Sequence, residues 1–585
     1  MSVSQIAQSF DECERIGVIG SPSSTGKLAV DLLGTAVDKR LVGSLCVFKY
    51  NQDSTEHYAL GQISEVRLHN PWTEDPTMRG LIRQKGIVDP VTEKQDTHNA
   101  TIFVSAVFSR GSATHASMLG TVPPTGTSVR LVSEKLLFTL LADYSEQLFY
   151  LGHAYGTNIL LPMWFKHFGV GLDGAGEAYH IGVFGKTGSG KSVLAKMLLL
   201  GYARHKEMSI IVLDPQGEFS KLKDDKIVME TMHEKYKRDL DTYDLSSVVL
   251  TDSQGFHLFG EILKVSGFLE KLSVFHDDNK SRAVRQIVQA INDVPEKPKP
   301  WELFAEAVFD RVWRALGTRN VQANIYSMQE LVGRMAASYD SANRDEFYEI
   351  WAGIARLFSN DKRVKHLLLK DLISKVVTGQ KGSIVIIDLA EQNVPAFLFW
   401  NEKIRSIVIN RVLETLKAAA EKEYKQNKLL NTLVIIDEAH RLAPRYQSFQ
   451  RGQKEDEHLS IVRRTLIDGA LTTRKFGLGW MFISPTLSSI DSEVLGQLRV
   501  ELFGFGLGWG AELRSLKEII GGNDEAISLY QGFKDPQSVL GEHEYSFMAV
   551  GPISPLSFSG SPLFFTALKY PDEFVKLNRA KGSFG

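Results

Sequence analysis

Eight consecutive residues constrain this chain more than any other stretch. Gly185-Lys186-Thr187-Gly188-Ser189-Gly190-Lys191-Ser192 fill every fixed position of the pattern GxxxxGK[ST]. Residues 181–184 before them read as a short buried strand, and residues 192–200 open a helix with apolar side chains on successive turns. Strand, glycine-rich loop and helix in that order make a cradle for a polyphosphate. The glycines let the backbone curl so that its N–H groups point inward, and the helix N-terminus adds partial positive charge. In such a cradle Lys191 reaches the β- and γ-phosphates, and the Ser192 hydroxyl ligates Mg²⁺. Gly185 through Ser192, with Val193 in the first helical turn, are therefore the candidate phosphate contacts. A chance glycine-rich turn would not keep strand and helix in register around it.

At 585 residues the chain exceeds what one core supports, so roughly two to four domains are expected. A net charge of −2 shows no global basic excess. Any nucleic-acid role must then come from local patches or from a ring of subunits. Cys13 and Cys46 are the only cysteines, which rules out a disulfide framework and suits a reducing compartment. The first residues lack the charged-then-apolar pattern of a signal peptide, and the expectation is a cytoplasmic protein. The uncharged run 147–165 contains Gly152, His153, Gly156, Asn158 and Pro162, so it reads as strand-loop-strand and no membrane association is expected.

Short apolar runs at residues 16–19, 45–48, 59–63, 100–104 and 128–132, separated by polar turns, predict a small N-terminal β-barrel. Residues 20–28 imitate a phosphate loop, but Leu28 stands where Ser or Thr is required, so this is read as a surface turn. After the phosphate loop, apolar runs at 209–213, 383–387, 432–436, 479–484 and 500–504 predict parallel strands buried on both faces. Amphipathic stripes at 261–273, 281–293, 300–317, 327–338 and 345–359 predict a helical bundle inserted between core strands. A long helix over 401–423 and a hairpin near the end complete the reading. The expected division is a barrel over 1–165, a phosphate-loop α/β core over 166–260 and 377–520, a helical insertion over 261–376, and a C-terminal segment over 521–585.

Hydrolysis needs more than a phosphate loop. Asp437 closes an apolar strand and can hold the metal shell, while Glu438 can orient and polarise an attacking water. Asp388 also ends an apolar strand and competes for the metal role, but it has no acid beside it. Asp214 and Glu218 end the strand at 209–213 and so face the ligand crevice of such a sheet, with a helix cap as the alternative role for Asp214. A cation at the γ-phosphate favours phosphoryl transfer, and Arg474 and Arg499 are candidates, each with a surface ion pair as its alternative role. Basic clusters at 356–365 and 441–454, the second carrying Tyr446 and Phe449, could form a collar for a phosphate backbone in a ring.

The runs GKTGSGKS, LDPQGEFS, VIIDEAHRL and TTRKFGLGWMFIS, in that order, resemble the HerA ATPases of the HerA–FtsK group. The resemblance covers nearly the whole chain and implies a RecA-like α/β core with a barrel before it. It implies a homo-hexamer that uses ATP and Mg²⁺ to move double-stranded DNA through its channel. It also implies a partner nuclease, or a sirtuin-like or other anti-phage defence effector, docked on the barrel. The alternative function is a ring scaffold that assembles and activates such an effector without processive translocation. By motif, Lys191 and Ser192 carry over as phosphate and metal residues and Asp214 and Asp437 as acids of the site. Glu438 carries over as the catalytic acid and Arg474 as the finger acting on a neighbour's ATP. The C-terminal segment is then expected to brace an adjacent subunit. The chain departs from the group at Pro485, where Gln is usual, and at Tyr179-His180, where many members have Arg.

Overall fold

The computed structural model describes all residues except 1–2, 89–91, 94, 111–113, 246, 251–255, 295–297, 300–301, 360–366, 379–381, 395–399, 446–456, 522, 539–542, 558–559 and 583–585. Much of both expected basic clusters, including Tyr446 and Phe449, thus lies outside the described residues.

The N-terminal strands are β1 (Arg15–Ile19), β2 (Leu28–Leu32), β3 (Leu45–Gln52), β4 (Thr55–His69), β5 (Thr97–Arg110), β6 (Thr114–Ser117) and β7 (Ser128–Leu131). They run β2-β1-β7-β3-β4-β5, and β5 pairs back onto β2 from Leu28↔Ile102 to Asp31↔Asn99. That pairing closes a barrel and leaves β6 as an extension of β5. Ile16, Leu28, Phe48, Ala59, Ile102 and Val129 fill its interior. Residues 21–27, the imitation loop, lie in the β1–β2 turn and are mostly exposed.

The rest of the chain is organised on one long sheet. Its strands are β8 (Leu148–Ala154), β9 (Leu160–Trp164), β10 (His180–Phe184), β11 (Ser209–Asp214) and β12 (Leu240–Tyr243). After a short ribbon of β13 (Val248–Val249) and β14 (Leu367–Leu368) come β15 (Ile384–Asp388), β16 (Thr432–Ile436), β17 (Leu478–Ser484), β18 (Leu498–Gly504), β19 (Tyr545–Val550) and β20 (Leu563–Ala567). The order is β12-β15-β11-β16-β17-β10-β18-β19-β20-β8-β9. Strands from β12 to β18 are parallel, and β10, β11, β15, β16 and β17 are buried along their whole length and mostly apolar because helices cover both faces, whereas the edge strand β12 carries the half-buried Asp241 and Thr242. From β18 onward the pairing is antiparallel. Glu501 of β18 is a buried carboxyl in this lining, 7% exposed, and its burial pushes it up to about 8.

Two sequence expectations shift here. Residues 148–164, grouped with the barrel by sequence, form β8 and β9 at the far edge of the long sheet. The C-terminal residues build this chain's own sheet as β19 and β20, and the helix Pro571–Ala580 packs on β8. Strand pattern tells that a segment is extended; it does not tell which distant segment it pairs with. The helical insertion leaves the sheet after β13 and returns at β14, whose parallel pairing ties its root. Its core is aromatic, with Trp351 against Phe259 at 4.6 Å and the indole N–H donating to the Leu303 carbonyl at 2.7 Å. The expected helix 261–273 breaks at Gly267, which is left-handed (φ +87°), so that a helix His257–Val265 is followed by a separate turn.

Among the contacts that join barrel and sheet is one fully buried polar side chain. The Gln62 amide donates to the carbonyls of Phe564 and Gly43, both at 2.9 Å, and its oxygen accepts the Phe564 N–H at 2.8 Å. Gln62→Ala strands those backbone groups without water, so a loss of about 2–3 kcal/mol is expected in urea unfolding. An unchanged midpoint would show that the fastening contributes nothing.

Candidate functional site

All the motif acids and the phosphate loop meet at one edge, the C-terminal ends of the parallel strands, where open α/β sheets bind ligands. The loop leaves β10 with three glycines in left-handed or extended positive-φ backbone: Gly185 (+146°), Gly188 (+85°) and Gly190 (+88°). Gly190 caps the helix Lys191–Ala203, and a Cβ there would lie 2.6 Å from the Tyr545 ring. Lys186 and Thr187 are exposed at the loop's mouth, Ser189 is buried beneath it, and Ser192 and Val193 are half-buried in the first turn of the helix. The Ser189 hydroxyl has no hydrogen-bond partner among the described residues. Lys191 bends over its own loop, its ammonium donating to the Lys186 carbonyl at 3.0 Å. Burial lowers its pKa while Glu438 and Asp437 raise it, so an incoming polyphosphate would favour the charged amine.

Strand order decides between the acids. β16 stands two places from β10, with β17 between, whereas β15 stands four places away. At the usual spacing these separations are about 10 Å and about 19 Å. Asp437, directly after β16, is within reach of a metal on a phosphate; Asp388 is not. Asp388 instead accepts the Ala390 N–H at 3.0 Å and the Asn393 amide at 2.8 Å. Asp437 is 4% exposed, and burial, with Glu438 and Asp214 nearby, pushes it up to about 7. A buried carboxyl crowded by other acids is stabilised by a cation beside it. With the Ser192 hydroxyl it offers the hard oxygen donors that Mg²⁺ takes.

Glu438 holds φ 54° and ψ 39°, a left-handed conformation uncommon for a residue with a side chain. Its carboxylate is met by Arg441 at 3.4 Å and His440 at 3.7 Å. The sequence reading gave His440 no role and took Arg441 as the start of a basic collar, whereas here Arg441 pairs with Glu438 within the same motif. His440 Nδ1 is buried without a hydrogen-bond partner among the described residues, and burial keeps the ring below the usual histidine range. Asp214 is buried and saturated: it accepts from the backbone of Glu218, Phe219 and Ser220 at 2.9–3.0 Å and from the Ser220 hydroxyl at 3.0 Å. Its place is that of a cap holding the turn beside the site. Glu218 is tied to Lys196 at 3.4 Å and Lys221 at 3.0 Å. Ser484, ending β17 between loop and acids, donates to the Thr486 carbonyl at 2.7 Å, so the turn through Pro485 is held by hydroxyls.

Arg474 is elsewhere. It precedes β17 and Arg499 begins β18, so both lie at the N-terminal edge of the sheet, about 20 Å from the phosphate loop along the strands. They converge on Glu177, at 3.9 Å and 3.4 Å. Arg474 borders a cleft of about 590 Å³ lined also by His167, Glu177, Lys428 and Asn431. His180 sits just inside this edge, its Nδ1 accepting the Trp480 N–H at 3.1 Å and its Nε2 donating to the Ala470 carbonyl at 2.8 Å. Burial lowers its pKa to about 4, so it is a neutral fixture of the sheet in the position where an arginine was looked for.

Residues 170–416 match the family model described as "Helicase HerA, central domain". No curated protein matches the chain. Solved structures that resemble it include VirB4 of Thermoanaerobacter pseudethanolicus, at 14% identity and a TM-score of 0.37, covering 73% of this chain and 97% of that one. The genome packaging NTPase B204 of Sulfolobus turreted icosahedral virus 2, in complex with AMPPCP, matches at 11% identity and a TM-score of 0.27, covering 67% and 98%. The bacterial conjugative coupling protein TrwBdeltaN70 matches at 13% and 0.30, covering 67% and 82%. Among the described residues no helix is long and apolar enough to cross a membrane. The phosphate loop and the acids one strand beyond β17 thus belong to a chain whose residues 170–416 are similar to the central domain of the helicase HerA.

Proposed function

We propose that the chain works in the cytoplasm as a homo-hexameric ring that hydrolyses ATP to translocate double-stranded DNA. A nuclease or another antiviral defence effector docked on the barrel would act with it. The observation that supports this reading best is the placement of Arg474 and Arg499 on the sheet edge opposite the phosphate loop. One edge of the subunit presents two arginines that share Glu177, and the other carries the phosphate loop and two acids. Head-to-tail packing would bring these unlike edges together, and a heterologous contact of that kind gives a ring when its rotation closes. The number six and the DNA in the channel come from the family resemblance.

In this reading Lys191 neutralises phosphate oxygens, and Glu438 orients the attacking water and draws on its proton. The neighbour's Arg474 meets the charge that develops on the γ-phosphate. Ser192 and Asp437 would hold Mg²⁺, which would supply charge neutralisation to the phosphates. Arg441 and His440 keep the Glu438 carboxylate in place.

The test is steady-state ATP hydrolysis with and without linear duplex DNA, with Glu438→Gln as control. Several-fold stimulation by DNA is expected, and the control should lose about 10²-fold or more. Hydrolysis indifferent to DNA would overturn translocation in favour of a ring scaffold that activates its effector. A protein that stays monomeric with ATP present would remove the ring from both.

A further inference from the structure

Two residues of the C-terminal segment, marked by no motif, stand against the phosphate loop. A methyl group on Gly188 would lie 2.3 Å from the Gln537 amide nitrogen, and one on Gly190 would meet the Tyr545 ring at 2.6 Å. Both contacts are therefore at van der Waals distance from the bare glycine backbone, and both glycines are left-handed. Gln537 is exposed and Tyr545 half-buried. Neither the Gln537 carboxamide nor the Tyr545 hydroxyl has a hydrogen bond among the described residues. Polar groups able to donate and accept thus border the loop without a partner, next to an aromatic face.

The direction of a bound nucleotide follows from the strand order. Its terminal phosphate belongs with Asp437 and Glu438, which lie on the β17–β16 flank of β10. Gln537 and Tyr545 come from the other flank, beyond β18, where β19 begins at Tyr545. A polyphosphate laid across the loop with its γ end on the first flank carries its nucleoside to the second. Lys186, whose side chain runs along Gly506 at the exit of β18, closes that flank from below.

We propose that Gln537 and Tyr545 hold the nucleoside half of the nucleotide. The Tyr545 ring packs on the base or ribose, and the Gln537 carboxamide pairs with the purine edge. An amide presents a donor and an acceptor side by side, which matches the N6 donor and N7 acceptor of adenine and mismatches the two acceptors of guanine. The two residues then set the preference for ATP over GTP. This rests on the reading of the loop as an ATP site.

The test uses the full chain and compares equilibrium binding of ATP, GTP and inorganic tripolyphosphate, which has the phosphates and no nucleoside. Wild type should bind ATP more tightly than GTP. Gln537→Ala should weaken ATP about tenfold, narrow the gap to GTP, and leave tripolyphosphate binding as it was. Tyr545→Leu should weaken both nucleotides and again spare tripolyphosphate, which also certifies that the loop is folded. Equal weakening of ATP and tripolyphosphate would overturn the proposal and make the two residues mere props of the loop. Unchanged ATP affinity in both variants would overturn it as well. Wild type that binds neither ATP nor tripolyphosphate would instead sink the nucleotide site itself.

Discussion

Arg474→Ala is expected to lower kcat for ATP hydrolysis by about 10³-fold or more, the size of effect that a cation at the γ-phosphate contributes in trans. Its distance from its own chain's loop makes the result specific. A residue about 20 Å from the loop of its own subunit cannot assist there. Such a loss would therefore place it on a neighbour's nucleotide. ATP affinity should change far less, because the guanidinium meets charge that appears in the transition state. A mixing experiment separates this from damage to the fold. Subunits carrying Arg474→Ala keep Glu438, and subunits carrying Glu438→Gln keep Arg474. Each variant alone should be nearly inactive, but an equal mixture restores one intact pairing in roughly a quarter of interfaces. Recovered hydrolysis establishes catalysis across the interface; none would leave Arg474 as a partner of Glu177 only. Arg499→Ala, measured beside it, ranks the two arginines that share that glutamate.

Glu501 should make stability fall as the solution turns alkaline. In the unfolded chain its carboxyl ionises near the ordinary 4.5, whereas in the fold burial holds it to about 8. Between those values the native state binds a proton that the unfolded state has released, so the favourable contribution is complete below about 4.5 and is lost as pH rises through 8. The difference amounts to about 5 kcal/mol at the alkaline end, as an upper figure. Glu501→Gln keeps the shape without the ionisation. It should match wild type in urea unfolding near pH 5 and exceed it by several kcal/mol near pH 9, an order set by the same shift. Equal pH dependence in the two proteins would show that the carboxyl stays solvated in the fold.

What the sequence disclosed was set by range. Continuous apolar runs made the strands ending at Phe184, Asp214, Asp388, Ile436 and Ser484 readable, because a strand buried on both faces must be apolar throughout. The phosphate loop was readable because its glycines and its lysine lie within one turn of backbone. The preference for Asp437 over Asp388 rested on an adjacent acid in the sequence, and in the structure β16 stands nearer to β10 than β15 does. Relations between distant segments were not readable. Nothing near Gln62 announces Phe564, and nothing near Gly190 announces Tyr545. For Asp214 the place at a strand end suggested a site acid or a cap, and its four accepted hydrogen bonds show the capping role. The left-handed backbone of Glu438 has no sequence signal at all, since such strain is imposed by the surroundings.

The pairing of β20 with β8 carries a consequence for how the protein is made. β8 and β9 leave the ribosome early, soon after the barrel, which can close on its own local pairings. The edge of β8 that accepts Phe565, Thr566 and Ala567 must then wait until the distant β20 has been synthesised. An apolar hairpin with a free edge is an invitation to pair with another nascent chain. On a polysome, where neighbouring copies emerge side by side, that interval is when a holding chaperone matters. A chain that stops short of β20 keeps its edge open for good, so even a small terminal truncation should drive the protein into aggregates although every motif residue is present.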